Sequence, residues 1–194
     1  MIRERIQVLI RWLITLSVGV PVLFGCNQMA IPTSSSAMEA EECAVYKTVI
    51  ESYVSEEDGS IAIRDHTGTD LSPGESLASE LEYVQRKLGS EIESETLRDY
   101  KAKNRRSDKL GNIPPLDVRL VVLSEDEFGE LLGEDDGWQE FYDMYPKALG
   151  IMTLSRIGFN SEMDQALVYV GIRADRGVGR GDYLLLTQQD TIWT

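Results

Sequence analysis

The amino terminus joins a short basic stretch to a long uncharged apolar run. Three arginines lie before residue 12, and the run WLITLSVGVPVLFG then reaches Cys26 without a charge. A comfortable bilayer span needs about 20 apolar residues, whereas this run is shorter and has Pro21 near its end. The pattern is typical of a signal peptide and not of a folded core element. We therefore predict that residues 1–25 are a signal peptide, separate from the folded domain.

The end of this run, Leu23-Phe24-Gly25-Cys26, resembles the lipobox of bacterial lipoproteins. The resemblance implies that the Cys26 thiol receives a lipid carrying acyl chains such as palmitate, and that Cys26 becomes the first mature residue. An ordinary secretory signal and an uncleaved anchor stay open as alternatives. Asn27, where Asp would favour retention, implies the periplasmic face of the outer membrane if the source has two membranes. The expected location is the cell envelope, with secretion as the alternative.

Residues after the cysteine divide into a linker and a domain. NQMAIPTSSSAMEA is small, polar and interrupted by Pro32, which is typical of a flexible tether over residues 26–40. Residues 41–194 are long enough for one domain with its own core. We predict a single folded domain there.

The charge balance limits the partners of this domain. The chain has 19 basic and 33 acidic residues, a formal charge of −14. Removing residues 1–25 takes away three Arg and one Glu, which leaves 16 basic and 32 acidic residues and a charge of −16. Such a domain repels phosphate backbones, so nucleic acid is not an expected partner. The expected partners are a lipid bilayer through Cys26, and either an envelope protein or a small anionic ligand.

Cysteine content gives no sign of a metal or cofactor. Acylation of Cys26 would leave Cys43 single, and Cys43 falls in a helical pattern, where a small buried hydrophobe is expected and a reactive thiol is the alternative. No CxxC pair and no His/Cys cluster occurs in the sequence. We predict neither a bound metal nor a cofactor.

Apolar residues at helical spacing predict five helices, over residues 41–54, 73–88, 93–104, 125–132 and 137–145. Capping boxes are predicted at residues 72–75 and 124–127. Gly89 is the expected end of the second helix, and Pro146 the expected end of the last. In that last helix, aromatic residues at positions 138, 141, 142 and 145 indicate a buried face, with a carbohydrate platform as the alternative.

Short runs rich in β-branched and aromatic residues predict strands over residues 60–67, 117–124, 150–159, 165–172 and 182–188. The run at 166–172 is apolar on both faces and is expected in the centre of a sheet. The separators NSEMD and RADRGVGRG are hairpin-sized loops. The predicted fold is α+β: amino-terminal helices, covering one face, packed on an antiparallel sheet that ends in a carboxyl-terminal three-strand meander.

The last sixty residues resemble a family of uncharacterised bacterial secreted or lipid-anchored proteins. The recurring elements are, in this chain, Trp138, Phe141-Tyr142, Tyr145-Pro146, Gly150, Ser155-Arg156, Gly158-Phe159-Asn160, the run QALVY, a Gly-rich loop, the run YLLL and a tryptophan near the end. The likeness extends over about residues 44–194. It implies the fold and the envelope location, and it implies no catalytic residues. Where members often have cysteines in the Gly-rich loop, this chain has none.

His66 is the single histidine and follows Asp65. A general base is conceivable because imidazole titrates near neutrality. Neighbours in a strand point to opposite faces, so Asp65 is not expected to orient His66, and a turn position is the predicted role. An envelope hydrolase using His66 with Asp65, Glu162 or Asp164 is the alternative function. A triad through Ser155 is not expected, because no G-x-S-x-G elbow surrounds it.

Arginines are the other candidate site residues. Arg173, Arg176 and Arg180 lie in the Gly-rich segment, where glycine amides and guanidinium groups suit an anion. A mobile loop whose arginines pair with nearby acids is the competing interpretation. Arg156 is expected on the core-facing side of its strand, as a structural ion pair or as a ligand contact. Because catalytic motifs are absent, the sequence favours a non-catalytic envelope lipoprotein that binds a ligand or a protein.

Overall fold

The computed structural model describes residues 34–54, 60–68, 76–111, 113, 115–116, 118–133 and 136–194. The predicted signal peptide, Cys26 and the first part of the tether lie outside these residues. The described residues form five helices: α1 (Ser34–Tyr53), α2 (Leu77–Leu88), α3 (Ser94–Lys103), α4 (Glu125–Gly133) and α5 (Gly137–Met144). They also form seven strands: β1 (Ser60–Arg64), β2 (Arg119–Leu123), β3 (Ala148–Leu154), β4 (Gly158–Phe159), β5 (Gln165–Asp175), β6 (Val178–Gln189) and β7 (Ile192–Trp193). None of these helices has the length and apolar content needed to cross a membrane.

The sheet is mixed, with the order β2-β1-β3-β5-β6-β7 and β4 pairing with β5. β1 pairs in parallel with both β2 and β3, whereas β3, β5, β6 and β7 pair antiparallel. The fold is therefore mixed helix and sheet, but the prediction of a purely antiparallel sheet is wrong for the first three strands. Each of the connections between them contains two helices, and a crossover of that length permits parallel pairing.

Helices cover both faces of the sheet, so the prediction that they cover one face is wrong. Val45, Val49 and Ile50 of α1 pack with the even-numbered side chains of β5, from Ala166 to Ile172. The opposite face, which carries Leu167 and Tyr169, packs against α2 and α3. Farther along that face, Ala62 and Ile151 pack against α4 and α5. β5 lies between two layers of helices, which explains why it is apolar on both sides.

The hairpin between β5 and β6 is longer than its sequence indicates. Ile172 pairs with Arg180, Arg173 with Gly179 and Asp175 with Val178, so that only Arg176 and Gly177 form the turn. The segment RADRGVGRG is therefore mostly strand, and its prediction as a loop is wrong. Glycines and charged residues do not give the apolar alternation by which a strand is predicted. Here the backbone pairing between β5 and β6, and not side-chain burial, forms the strand.

Helix ends follow the capping rules with one change. α2 begins after Ser76, whose side chain accepts from the Ser79 N–H. In return, the Ser76 N–H donates to the Ser79 hydroxyl. The box predicted at residues 72–75 lies outside the described residues. The predicted box at Ser124 is confirmed, because both the backbone N–H and the hydroxyl of Ser124 donate to Glu127 Oε2. α1 begins at Ser34, so part of the segment predicted as a tether is helical.

Several residues of the carboxyl-terminal signature hold the fold together. Gln165, which is buried, accepts from the Glu93 N–H and the Thr96 hydroxyl and donates to the Glu91 carbonyl. The Asn160 Oδ1 accepts from the N–H of Gln165, the first residue of β5, and from the N–H of Asp164 just before it. A Cβ on Gly158 would lie 2.5 Å from the Tyr100 backbone nitrogen. These signature positions therefore join the β4–β5 turn to α3.

Candidate functional site

The three parallel strands end at the same edge of the sheet, and candidate residues gather there. β1 lies between β2 and β3, so the chain passes from β1 to one neighbour and then to the other. In sheets with parallel strands, that change of direction opens a crevice at the carboxyl ends of the strands. We call residues 65–68, 124–125 and 155–156, which follow β1, β2 and β3, the carboxyl edge.

Asp65 and His66 are in direct contact at this edge. The Asp65 Oδ1 lies 2.7 Å from the His66 Nδ1. Strand alternation does not apply, because β1 ends at Arg64 and His66 only bridges to Lys109. The prediction that Asp65 does not orient His66 is therefore wrong. The contact favours the tautomer of His66 that carries its proton on Nδ1 and leaves Nε2 as an acceptor.

Glu125, which the sequence did not single out, completes a group of three. One ligand atom each from Asp65, His66 and Glu125 lies within 4.8 Å of the others, the one such group found in the described part of the chain. Imidazole and two carboxylates suit a transition metal. However, the Arg64 Nη2 donates to both oxygens of Glu125 at 2.8 Å, and its guanidinium stacks 4.1 Å from the Phe128 ring centroid. A cation would have to displace this guanidinium, and the absence of a metal stays a prediction.

The segment that follows α3 is fixed against the ends of β1 and β3. The Thr67 N–H donates to the Asp108 carbonyl at 2.8 Å, and the Asp108 N–H donates to the Thr67 hydroxyl at 3.0 Å. Asn104 makes a matching pair with Arg156, donating to its carbonyl at 2.9 Å and accepting from its N–H at 2.8 Å. The side chains of Thr67 and Asn104 thus satisfy three backbone groups, which holds the segment in one position.

Arg156 takes part in this framework. It lies after β3 and not within a strand, and its Nη1 donates to the Asp108 Oδ2 at 3.1 Å. That ion pair matches the structural alternative of the sequence prediction, while a ligand contact stays a prediction. Ser155 is equally committed, since its hydroxyl donates to the Arg156 carbonyl and accepts from the Tyr169 N–H.

A cleft opens between the end of β1 and the helices α2 and α3. It is lined by residues 67–68, residues 77–78 in the first turn of α2, and Lys101 with residues 104–107, and its volume is about 570 Å³. We call it the basic cleft, because Lys101, Arg105 and Arg106 line it and none of the described residues that line it is acidic. A volume of this size suits a small ligand. The sequence shows these residues only as a basic helix tail, KAKNRR, with no sign that α2 faces it.

The arginines of the β5–β6 hairpin lie far from this edge. Arg173 pairs with Ile151 in the middle of β3, whereas Arg156 lies two residues beyond the end of β3. The five residues from Ile151 to Arg156 span about 16 Å in an extended chain. Arg180 stacks 5.1 Å from the ring centroid of Tyr53. The structure therefore does not bring Arg156 together with Arg173, Arg176 and Arg180, and an anion contact by the hairpin arginines stays a prediction.

The acids of the hydrolase alternative also separate. Asp164 lies in the β4–β5 turn, where its Oδ1 accepts from Asn160, and Glu162 is exposed in the same turn. Val170 pairs with Leu154 at the end of β3, and Asp164 is beyond Gln165, about 17 Å or more along β5 from that level. Of the proposed acids, only Asp65 meets His66.

The aromatic residues of α5 belong to the core, as predicted. Trp138 and Phe141 are buried and pack with Ala62 and Ile151, and Tyr142 and Tyr145 are partly buried against the same cluster. The Tyr142 hydroxyl donates to the Ala174 carbonyl at 2.9 Å. This face of α5 is occupied by the sheet and does not form an open platform.

Neither a family model, nor a curated protein, nor a solved structure matches this chain. The chemistry of the carboxyl edge is therefore the ground on which function is inferred. That edge offers a His–Asp contact beside a guanidinium–carboxylate pair, and a basic cleft on a fixed backbone.

Proposed function

We propose that this chain is a lipid-anchored protein of the cell envelope whose domain is a non-catalytic binding module. Cys26 carries the lipid, and in a two-membrane bacterium the domain lies on the periplasmic face of the outer membrane. The basic start, the uncharged run and the lipobox-like ending support this proposal. The resemblance to uncharacterised secreted and lipid-anchored proteins supports the same location.

The observation that carries the binding role is the basic cleft, because it is open and its wall is already fixed. Thr67 and Asn104 hold the backbone on which the cleft residues stand. A ligand that enters a preformed site does not have to order a loop first, which lowers the cost of binding. Within the cleft, no described serine or cysteine is hydrogen-bonded to a histidine, the arrangement that an activated nucleophile needs.

Lipidation is tested by metabolic labelling with palmitate. We expect the full chain to take up label and Cys26→Ala to lose it, while Cys43→Ala serves as the matched control and keeps it. Label that survives Cys26→Ala would mean that another residue is acylated. An unlabelled chain that stays in the membrane would indicate an uncleaved anchor, and an unlabelled mature chain in the medium would indicate a secreted protein.

The binding role is tested by filling the cleft. Ala78 lines the cleft, and Ala102 is an exposed helical alanine that lines a different cavity. The full chain in detergent is screened by thermal shift against neutral glycans, anionic metabolites and envelope peptides. We expect a ligand whose stabilisation is lost in Ala78→Phe and kept in Ala102→Phe. If every stabilising compound acts equally on both variants, the cleft is not the site.

An envelope hydrolase is the second candidate, favoured by one observation: the 2.7 Å contact between Asp65 and His66. An imidazole held by a carboxylate is a common general base. Ester, amide and glycoside substrates of the envelope are tested with the full chain and with His66→Gln, and Asp164→Asn is the control. Turnover that disappears only in His66→Gln would establish the hydrolase; no turnover leaves the binding module.

A further inference from the structure

The basic cleft holds positive charge that the acidic side chains of the described residues neutralise only in part. Lys101 and Arg105 are exposed, and within the described residues neither has an acidic side chain at ion-pair distance. Arg106 is 82% exposed, and its Nε lies 3.5 Å from the Asp108 Oδ1, which also binds Arg156 through its other oxygen. One carboxylate thus serves two guanidinium groups, and Lys101 and Arg105 have no acidic counterion among the described residues.

A second cavity in the described chain differs from the basic cleft in how its charges are paired. It has about 580 Å³ and lies between Met38 of α1, α3 and the β4–β5 turn. Its charges are paired: Lys103 with Asp99 at 2.8 Å, and Arg98 with Glu95 at 3.6 Å. The two cavities are therefore similar in volume, and positive charge without an acidic partner among the described residues distinguishes the basic cleft.

We propose that the basic cleft binds a small anion through phosphate or carboxylate oxygens, with Lys101 and Arg105 as its direct contacts. This inference rests on the proposed binding function and names the ligand class of that same site. Ammonium and guanidinium groups donate charge-assisted hydrogen bonds to such oxygens, and the guanidinium fork fits two of them at once. Arg106 stands at the rim, where its Asp108 partner leaves it a weaker contact.

Two features of the surroundings support an anion. The first turn of α2 borders the cleft, and the N–H groups of Leu77 and Ala78 belong to the four that an α-helix leaves without acceptors of its own. The formal charge of the chain is −14. Because that charge repels free anions overall, measurable anion binding requires a local concentration of positive charge such as this cleft.

The test is isothermal titration of the full chain in non-ionic detergent with inorganic phosphate, pyrophosphate and citrate. The variant is the double change Lys101→Gln/Arg105→Gln. Its control is Arg86→Gln/Arg119→Gln, which removes the same charge from two exposed arginines that do not line the cleft. We expect at least one probe to bind, the cleft variant to bind about tenfold or more weakly, and the control to stay within about twofold. Circular dichroism of both variants checks that each is folded.

Each other result overturns the inference. Equal losses in the cleft variant and in the control would show an effect of net charge alone. If no probe binds, the anion assignment is wrong, and a neutral compound that still depends on Ala78 would leave the binding module standing. A parallel arm compares sedimentation of the wild type and the cleft variant with phosphatidylglycerol vesicles, because the lipid on Cys26 would bind vesicles by itself. Vesicle binding that the cleft variant loses and the control keeps, without binding of free phosphate, pyrophosphate or citrate, would move the cleft from a small-molecule site to a membrane contact.

Discussion

Thr67 and Asp108 are hydrogen-bonded to each other in both directions. The Thr67 N–H and hydroxyl both reach the Asp108 carbonyl, at 2.8 and 3.1 Å, and the Asp108 N–H reaches the Thr67 hydroxyl at 3.0 Å. Thr67 is 3% exposed, so water cannot replace these bonds. One hydroxyl therefore fixes the segment that presents Arg105 and Arg106 to the cleft.

Replacing this hydroxyl with a methyl group tests its role. We expect Thr67→Val to lower the free energy of unfolding by about 1–3 kcal/mol, because the Asp108 N–H and carbonyl lose their hydrogen bonds to the hydroxyl. Thr187→Val, at an exposed strand position, should change it by no more than about 0.5 kcal/mol. Urea unfolding followed by circular dichroism measures both. A Thr67→Val protein as stable as the control would mean that the segment is held by its other contacts.

Gln165 is expected to be one of the most sensitive polar positions. Its side chain makes three hydrogen bonds at 2.8, 2.9 and 3.0 Å to residues 93, 96 and 91. Gln165→Leu leaves three groups without their partner, one of them the buried Thr96 hydroxyl, and we expect a loss of about 3 kcal/mol or more. The control Gln189→Leu lies at an exposed position of β6 and should be nearly neutral. Equal unfolding midpoints for the two variants would contradict the structural role of Gln165.

Gly150 requires a backbone that other residues rarely adopt. Its φ is +122°, and a Cβ there would lie 2.2 Å from the Arg173 carbonyl oxygen. We expect Gly150→Ala to destabilise the protein by about 2 kcal/mol or more, through backbone strain together with displacement of β5. Gly111→Ala, where a Cβ meets nothing within 4 Å, is the matched change and should be neutral or slightly stabilising. Thermal unfolding of the pair decides between them.

Tyr46 makes stability depend on alkaline pH. Its hydroxyl donates to the Ser155 carbonyl at 3.0 Å, and burial, reinforced by Glu42, raises the pKa of Tyr46. The unfolded pKa is about 10, so the stabilisation is fully present below that pH and is lost as pH rises through the folded pKa. We expect Tyr46→Phe to cost about 1–2 kcal/mol at pH 7 and to lose less stability than the wild type between pH 9 and 11.

Urea unfolding at pH 8, 9.5 and 11 measures these slopes. Tyr53, which is partly buried, and Tyr183, which is buried, also have raised pKa values, so the variant should keep part of the alkaline decline. Parallel curves for wild type and Tyr46→Phe would show that Tyr46 ionises as easily in the folded as in the unfolded chain.

Local patterns were enough to find most elements of the fold. The aromatic spacing of α5, the Ser124 capping box and the two-sided apolar run of β5 each depend on residues close in sequence, and the structure has all three. Pairing direction could not be found this way, because four helices and β2 lie between β1 and β3 in the chain. The ends of β5 and β6 next to their turn were not predicted as strand for another reason: they consist largely of glycine and charged residues.

The candidate site was harder to predict than the fold. The sequence shows that Asp65 and His66 are neighbours. Their contact depends on β1 ending at Arg64, and the run SIAIRDHT does not indicate that end. Lys101 and Arg105 were visible as basic residues at the end of a helix. The cleft they line needs α2 and the end of β1 beside them, and only the tertiary structure supplies these neighbours.

The parallel position of β1 has a consequence for the order in which the molecule assembles. β5 and β6 pair across a two-residue turn, so this hairpin closes only a short loop and is expected to form early. Ser60 pairs with Ala148, and that contact closes almost half of the chain at once. We therefore expect the carboxyl-terminal hairpin to act as the template and β1 to insert late, so that a nascent or truncated chain lacking β3 leaves β1 and β2 without the rest of the sheet to pair with.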